Sequence, residues 1–300
     1  MTNLITRRTA LAGSLLVVPA FAALTTDAQG ATTPEATDRF KDLERRHGGR
    51  LGVAILDLAT GVRMEHRANE RFPMCSTFKF LAAAFVLARV DRGEERLDRR
   101  ITFTKADLVT RAGRVAWSPV TETRVGGDGM TIDEVCEAAI ALSDNTAANL
   151  LLASFGGPAA LTTYVRSLGD TITRLDRIEP DLNEATHGDP RDTTTPVAML
   201  ENMHQLVLGD ALSGSSREHL AAWLVATKTG DKRLRAGFPK GWRIGDKTGT
   251  SMNGVANDIA VVWPPNRGPL IVTVYFAEAQ GSDEQRDAVI AEVGRTAAGA

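Results

Sequence analysis

The chain has 300 residues, of which 43% are hydrophobic and 24% are charged, and its formal net charge at pH 7 is -2. These values are typical of a globular protein with one large domain or two associated domains, and the charge balance argues against a nucleic-acid-binding surface. The five histidines and two cysteines are scattered rather than set at zinc-ligand spacing, so we expect no metal site and no cofactor.

The first 30 residues have the pattern of an export signal. Arg7 and Arg8 precede an apolar run from Ala10 to Leu24, which is too short for a confident membrane span. The residues around the two arginines resemble a twin-arginine signal, which implies a bacterial protein exported after folding, and a general secretory signal is the alternative. We therefore expect residues 1–30 to be removed and the mature protein to lie free of the membrane, in the periplasm or outside the cell.

Secondary structure is predicted to run from strands through helices and back to strands. Apolar periodicity, capping residues and Gly or Pro stops predict helices at residues 37–47, 76–90, 131–142, 145–155, 157–168, 195–208, 216–226 and 284–299. Strands are predicted at residues 51–58, 63–67, 242–250, 257–263 and 270–276.

This order predicts an α/β protein in which both ends of the chain build one sheet and a helical domain is inserted between them. We place the α/β domain at residues 31–74 and 215–300, and the all-helical domain at residues 75–214. Residues 174–194 lack periodicity, and a long irregular loop of this kind is usually functional. An active site is expected between the two domains.

A helix that is apolar on nearly every face is predicted from Ser76 onward, so it should be buried. Ser76 and Lys79 interrupt its apolar surroundings and lie three residues apart, on one face. A buried ammonium is costly, and its proposed purpose is to help remove the proton of Ser76 and make the hydroxyl a nucleophile. Because Ser-x-x-Lys occurs by chance about once in a chain of this length, the pattern alone does not decide the function.

Two further polar groups could complete such a site. Ser143-Asp144-Asn145 lies between two predicted helices, where these residues are good caps, but Ser143 could also pass a proton to a leaving nitrogen and Asn145 could bind a carbonyl. In the irregular loop, Glu179 and Asn183 could hold a water molecule between them. The alternative interpretation of Glu179 is a solvated acidic loop.

The tripeptide Lys-Thr-Gly occurs twice, at residues 228–230 and 247–249. The first copy follows a predicted helix, so its glycine is interpreted as a C-cap and its lysine as a last-turn cation. The second lies in a predicted strand, where Gly249 would allow close approach to a ligand and a strand edge could bind an extended substrate. We therefore expect Lys247 and Thr248 to receive a substrate carboxylate.

Four motifs occur in order: Ser-x-x-Lys at Ser76, Ser-Asp-Asn at Ser143, Glu-Pro-x-Leu-Asn at Glu179 and Lys-Thr-Gly at Lys247. This is the pattern of the class A serine beta-lactamases, which the chain resembles from about Thr37 to its C-terminus. The resemblance implies a five-stranded antiparallel sheet flanked by helices, an all-helical domain that includes an Ω loop at residues 174–194, and a monomer. It also implies hydrolysis of penicillins and cephalosporins, and hence antibiotic resistance.

The resemblance assigns the catalytic roles. Ser76 would attack the beta-lactam carbonyl and form an acyl-enzyme, and the N–H groups of Ser76 and Thr250 would form the oxyanion hole. Lys79, or Glu179 acting through a water, would be the base for acylation. Glu179 with Asn183 would activate the water for deacylation, and Ser143 near Lys247 would carry a proton to the lactam nitrogen. The substrate-binding residues would be Asn145 for the acyl amide, Lys247, Thr248, Thr250 and Arg233 for the carboxylate, and Trp117 at the cleft mouth.

Structural features are implied as well. Arg177 and Asp192 would form an ion pair at the base of the Ω loop, and the Glu179–Pro180 bond would be cis.

Cys75 and Cys136 match positions that form disulfides in some members of the family, but the two partner positions are occupied here by Ser251 and Ala83. We therefore expect two free thiols.

Two other functions remain open. A D,D-peptidase of the penicillin-binding class would share Ser76, Lys79, Ser143 and Lys247 but would remain acylated, for lack of a glutamate that activates water. A beta-lactam-sensing domain would also remain acylated, and it would need a membrane segment and an intracellular partner. Glu179 in the irregular loop favours the hydrolase.

Overall fold

The computed structural model describes residues 1–2 and 34–299, so the predicted export signal lies outside the described residues. The α-helices of the described part are α1 (Pro34–His47), α2 (Phe78–Asp91), α3 (Ile132–Ala141), α4 (Asn145–Phe155), α5 (Gly157–Ser167), α6 (Pro196–Met203), α7 (Gly214–Val225), α8 (Leu234–Gly237) and α9 (Asp283–Ala298). Within residues 34–299 no helix is both long and apolar enough to span a bilayer.

The central sheet has the strands β1 (Arg50–Asp57), β2 (Arg63–His66), β3 (Arg243–Ser251), β4 (Val255–Trp263) and β5 (Leu270–Ala277). Its order is β2-β1-β5-β4-β3, and every neighbouring pair is antiparallel. The structure thus confirms the expected five-stranded antiparallel sheet flanked by helices. Among residues 34–299, strand β3 lies at one edge of this sheet, and one side of its backbone has no strand partner there.

The sheet separates two hydrophobic cores, because alternate residues of a strand point to opposite faces. Val53 and Ile55 of β1 belong to the core that also contains Phe40 of α1 and Val289 of α9. Ala54, between those two strand residues, belongs to the larger core, which includes α2 and the other helices of the middle of the chain. Helix α2 is buried along most of its length, as its apolar sequence predicts.

Four helix predictions differ from the structure by more than one residue. Helix α1 begins three residues earlier, and its first turn is supported by an ion pair between Glu35 and Arg39. Helix α7 begins at Gly214, because Ser213 caps its first turn. Helix α2 begins at Phe78, and Ser76 instead lies in a 3-10 turn, Cys75–Thr77, just before it. The predicted helix 195–208 becomes α6 followed by one π-helical turn, His204–Leu208.

The two cysteines are free and fully buried, which confirms the expectation of two free thiols. Burial raises the pKa of both thiols far above the ordinary range, so neither forms the reactive thiolate at neutral pH.

We therefore expect native protein to react very slowly with a thiol reagent such as Ellman's reagent, whereas protein unfolded without reductant should titrate two thiols per chain. A reaction of either cysteine within seconds in the native state would contradict the burial. A titre of zero after unfolding would show that the thiols are paired.

Candidate active site

A cleft of about 530 Å³ opens between the edge strand β3 and the helical part of the chain. Its volume is typical of a small-molecule site. Eight predicted site residues line it: Ser76, Trp117, Ser143, Asn145, Asn183, Arg233, Thr248 and Thr250. Three further side chains that were not predicted also line it: Thr229, Asp283 and Asp287. Lys79, Glu179 and Lys247 lie beneath this lining and have almost no contact with solvent.

The turn that carries Ser76 is fixed by the sheet. The side-chain amide of Asn257 on β4 donates to the carbonyl oxygens of Pro73 at 2.8 Å and Met74 at 3.1 Å. A Cβ on Gly249 would lie only 2.7 Å from the Met74 oxygen. Glycine is therefore required so that β3 can approach this turn, and its close neighbour is the protein backbone rather than the expected ligand.

Lys79 extends from the first turn of α2 into the floor of the cleft. Its Nζ donates to the Ser143 carbonyl at 2.8 Å and to Asn145 Oδ1 at 2.7 Å, and it lies 3.1 Å from Glu179 Oε1. The Ser76 hydroxyl donates a long hydrogen bond, 3.5 Å, to that same carboxylate oxygen. Burial lowers the pKa of Lys79, although the charge of Glu179 opposes the shift. The nucleophile and both candidate bases are thus grouped around one oxygen atom.

Glu179 is held in place through its backbone as well as its side chain. Asn149 Oδ1 accepts from Glu179 N, and Asn149 Nδ2 donates to Glu179 O, each at 2.9 Å. Asn183 donates to Glu179 Oε2, and the Glu179–Pro180 bond is cis, as expected. Sequence reasoning missed Asn149, although its position on α4, four residues after Asn145, places both on one helix face and could have suggested it.

Ser143 and Lys247 meet from opposite sides of the cleft. Lys247 Nζ donates to Ser143 Oγ at 3.0 Å and to its neighbour's carbonyl, Thr248 O, at 2.8 Å. Ser143 has a φ of 57°, a left-handed conformation that is uncommon for serine. Burial, together with the nearby charge of Lys79, lowers the pKa of Lys247 well below its ordinary value.

Asp144, between Ser143 and Asn145, caps α4 as the sequence predicts. It accepts a hydrogen bond from Ala147 N at 2.8 Å and others from the backbone and hydroxyl of Thr121. Asp144 therefore fixes the loop that presents its two neighbours to the cleft.

Arg233 reaches the other end of the cleft. Its guanidinium donates to Thr250 Oγ1 at 2.8 Å and to the Gly249 carbonyl at 2.8 Å, and its Nε pairs with Asp287 at 2.7 Å. Trp117 forms part of the mouth, where its side chain is mostly exposed and its ring N–H is anchored to the Leu142 carbonyl at 2.8 Å.

The sequence suggested that the first Lys-Thr-Gly copy, residues 228–230, caps a helix. This prediction is wrong. Helix α7 ends at Val225 with Ala226 as its C-cap. Gly230 lies so close to β3 that a Cβ there would be 1.9 Å from Asp246 Oδ2. Thr229 lines the cleft, and its hydroxyl lies 2.6 Å from that of Thr248.

The Ω loop is closed at its base by the expected ion pair. Arg177 Nε donates to Asp192 Oδ2 at 2.6 Å. Asp192 is almost completely buried, and it also accepts hydrogen bonds from the backbone N–H groups of Asp176 and Arg177.

Comparison with known proteins identifies the family. A family model described as the beta-lactamase enzyme family matches residues 35–300. The chain is 49% identical to Beta-lactamase L2 of Stenotrophomonas maltophilia, over 89% of this chain and 86% of that protein. It is 46% identical to Beta-lactamase Toho-1 of Escherichia coli, over 84% of each.

Solved structures agree with this result. An ancestral (GNCA) class A beta-lactamase is similar with a TM-score of 0.84 at 65% identity, over 87% of this chain and 98% of that one. The putative class A beta-lactamase PenP from Rhodopseudomonas palustris gives a TM-score of 0.85 at 60% identity, over 88% and 99%. The chain belongs to the class A beta-lactamases of the beta-lactamase enzyme family.

The buried ion pair at the base of the Ω loop predicts a large effect of Arg177→Ala. The substitution leaves the Asp192 carboxylate buried without its cation, so we expect the free energy of unfolding in urea to fall by about 3 kcal/mol. The matched control is Arg191→Ala in the same loop, which removes a more exposed pair with Asp189 and should change the free energy of unfolding much less, because solvent screens that pair. Equal losses in the two variants would contradict the interpretation.

Proposed function

We propose that this protein hydrolyses the beta-lactam ring of penicillins and cephalosporins through an acyl-enzyme on Ser76, and that it thereby confers antibiotic resistance. The observation that carries the proposal is the position of Glu179 Oε1, which is within reach of both the Ser76 hydroxyl and the Lys79 ammonium. A carboxylate at this position can activate water against an ester of Ser76, a step that a permanently acylated protein lacks.

Acylation begins when the Ser76 oxygen attacks the lactam carbonyl. Its proton passes to the coupled Lys79–Glu179 pair, either directly or through a water. Because burial lowers the pKa of Lys79, the neutral amine that can accept a proton is easier to reach than in water. The backbone N–H groups of Ser76 and Thr250 bind the developing oxyanion, at the start of α2 where the helix dipole also favours negative charge.

The leaving lactam nitrogen receives its proton from Ser143. The contact from Lys247 Nζ to Ser143 Oγ, at 3.0 Å, occupies an acceptor position of the hydroxyl and leaves its own proton free to point into the cleft. In deacylation Glu179 and Asn183 hold the attacking water and the Glu179 carboxylate takes its proton. The water oxygen adds to the ester carbonyl, the C–O bond to Ser76 breaks, and the proton returns from Glu179 to the Ser76 oxygen.

Substrate binding uses the two ends of the cleft. Asn145 has its oxygen engaged by Lys79 and one amide N–H directed at the Ala116 carbonyl, at 3.4 Å, so its other amide N–H is available for the carbonyl of the acyl side chain. At the other end, Thr248 and Thr250 bind the carboxylate, and Lys247 and Arg233 provide positive charge. Trp117 forms the apolar wall at the mouth of the cleft.

The relatives named above come from bacteria, and we propose the same setting for this protein. Residues 1–30 direct export, most simply by the twin-arginine route, and the mature chain acts as a monomer in the periplasm or outside the cell. We further propose that residues 31–74 with 215–300, and residues 75–214, act as two domains whose interface is the cleft.

Glu179→Ala separates acylation from deacylation. Mass spectrometry of wild-type protein mixed with benzylpenicillin should show rapid return to the free mass, because the acyl-enzyme is hydrolysed. The variant should retain the mass of the adduct on Ser76, because the water is no longer activated. Glu184→Ala, in the same loop but paired at the surface with Arg177, is the matched control and should clear the adduct like the wild type.

Other outcomes would identify the alternative functions. A wild-type adduct that persists for hours would indicate a penicillin-binding peptidase or a beta-lactam sensor. The absence of any adduct in both proteins would overturn the assignment of Ser76 as the nucleophile.

A further inference from the structure

Three hydroxyl groups project into the cleft where the leaving nitrogen and the carboxylate of a substrate would lie. Ser143 receives a hydrogen bond from Lys247, and Thr250 receives one from Arg233. Arginine donates only, which fixes the direction of the bond to Thr250, and lysine donates only in its charged form, which fixes the bond to Ser143 once a substrate carboxylate lies beside Lys247. Each of these hydroxyls must therefore point its own proton elsewhere, toward the space that the substrate would occupy.

Thr248 is the third hydroxyl, and its partner behind the strand is Thr229. The two hydroxyl oxygens are 2.6 Å apart, and both residues line the cleft. A hydroxyl has a single proton, so one of the pair donates and the other accepts. If Thr248 spent its proton on Thr229, it would present only lone pairs to an anion.

We propose that Thr229 is a positioning residue for the carboxylate of the substrate: it donates to Thr248 Oγ1 and thereby directs the Thr248 proton into the cleft. This inference rests on the proposed function and adds a residue to it. Thr248 then resembles Ser143 and Thr250: each of the three hydroxyls accepts a hydrogen bond from a neighbouring protein side chain and can donate its own proton to the substrate.

The segment that carries Thr229 is fixed against the strand. Thr227 Oγ1 donates to Asp246 O at 2.6 Å, and Lys228 N donates to the Ala141 carbonyl at 2.9 Å. Gly230 packs directly against the Asp246 carboxylate. Because both sides of Thr229 are held, its hydroxyl does not have to be ordered when a ligand binds, and little entropy is lost.

The test compares Thr229→Val, which keeps the shape but removes the hydroxyl, with Thr229→Ser, which keeps the hydroxyl. For benzylpenicillin, Thr229→Val should lower kcat/KM about three- to tenfold, mainly through KM, as expected for the loss of one hydrogen bond between neutral groups. Thr229→Ser should restore kcat/KM to within about twofold of the wild type.

Two controls distinguish positioning from a structural role. The methyl ester of benzylpenicillin lacks the carboxylate charge, so Thr229→Val should reduce its kcat/KM much less. Thr273→Val removes a buried hydroxyl of β5 that donates to the Pro196 carbonyl at 2.9 Å, away from the cleft, so it should lower Tm but leave the KM for benzylpenicillin unchanged.

An unchanged KM in Thr229→Val, an equal loss with the ester, or a failure of serine to restore binding would each overturn the proposal. If Thr229→Val does not fold, Thr229→Ala takes its place, because it also removes the hydroxyl, and it must show the same loss with benzylpenicillin and the same smaller loss with the ester. No turnover by the wild-type protein would instead refute the proposed function.

Discussion

Two lysine ammonium groups, Lys79 and Lys247, lie fully buried at the floor of one cleft, and the rest of the site depends on how their charge is accommodated. Removing an ammonium from water costs several kcal/mol unless it is paired and hydrogen-bonded. The two groups also repel, and the charge of Lys79 contributes to the lowered pKa of Lys247. In residues 34–299, the carboxylate within ion-pair distance of Lys79 is that of Glu179.

The Ω loop therefore supplies the negative charge, on Glu179, that the buried Lys79 of α2 requires. The same carboxylate is the group that we propose for catalysis. Glu179 comes from a loop with little regular structure, and the loop is tied down from several directions. Asn149 holds it from α4, the Arg177–Asp192 pair closes its base, and Ser251 at the end of β3 donates to the Asn183 carbonyl at 2.6 Å. These contacts keep the carboxylate within reach of Lys79, so the positions of the lysine and of the loop stabilise each other.

The sequence was sufficient to predict most of the helices and strands, and also the site residues that lie in short sequence motifs. The apolar α2, the capped start of α3 and the continuous apolar runs of the central strands are short-range patterns, and the packing of the fold agrees with them. Ser76, Lys79, Ser143 and Glu179 could be predicted because their motifs also match a known family.

The residues that were missed act through contacts between distant parts of the chain. Asn149 binds the backbone of a residue 30 positions away, and Asn257 holds a turn more than 180 positions away. The spacing of Asn149 from Asn145 indicates the helix face on which it lies but not its partner, and nothing in the sequence around Asn257 indicates that residue's contact. Gly249 shows the same limit: its sequence indicated a close neighbour, but only the fold shows that this neighbour is Met74.

The lowered pKa of Lys247 has a consequence for binding. Burial and the charge of Lys79 disfavour the ammonium form when the cleft contains no anion. A substrate carboxylate placed beside Lys247 provides the missing negative charge, so by linkage its binding must raise the pKa of Lys247 and favour the protonated form. The same ammonium is the donor to Ser143. In the mechanism that we propose, recognition of the carboxylate thus reinforces the hydrogen bond that directs the Ser143 proton toward the leaving nitrogen, and substrate binding is linked to the chemical step.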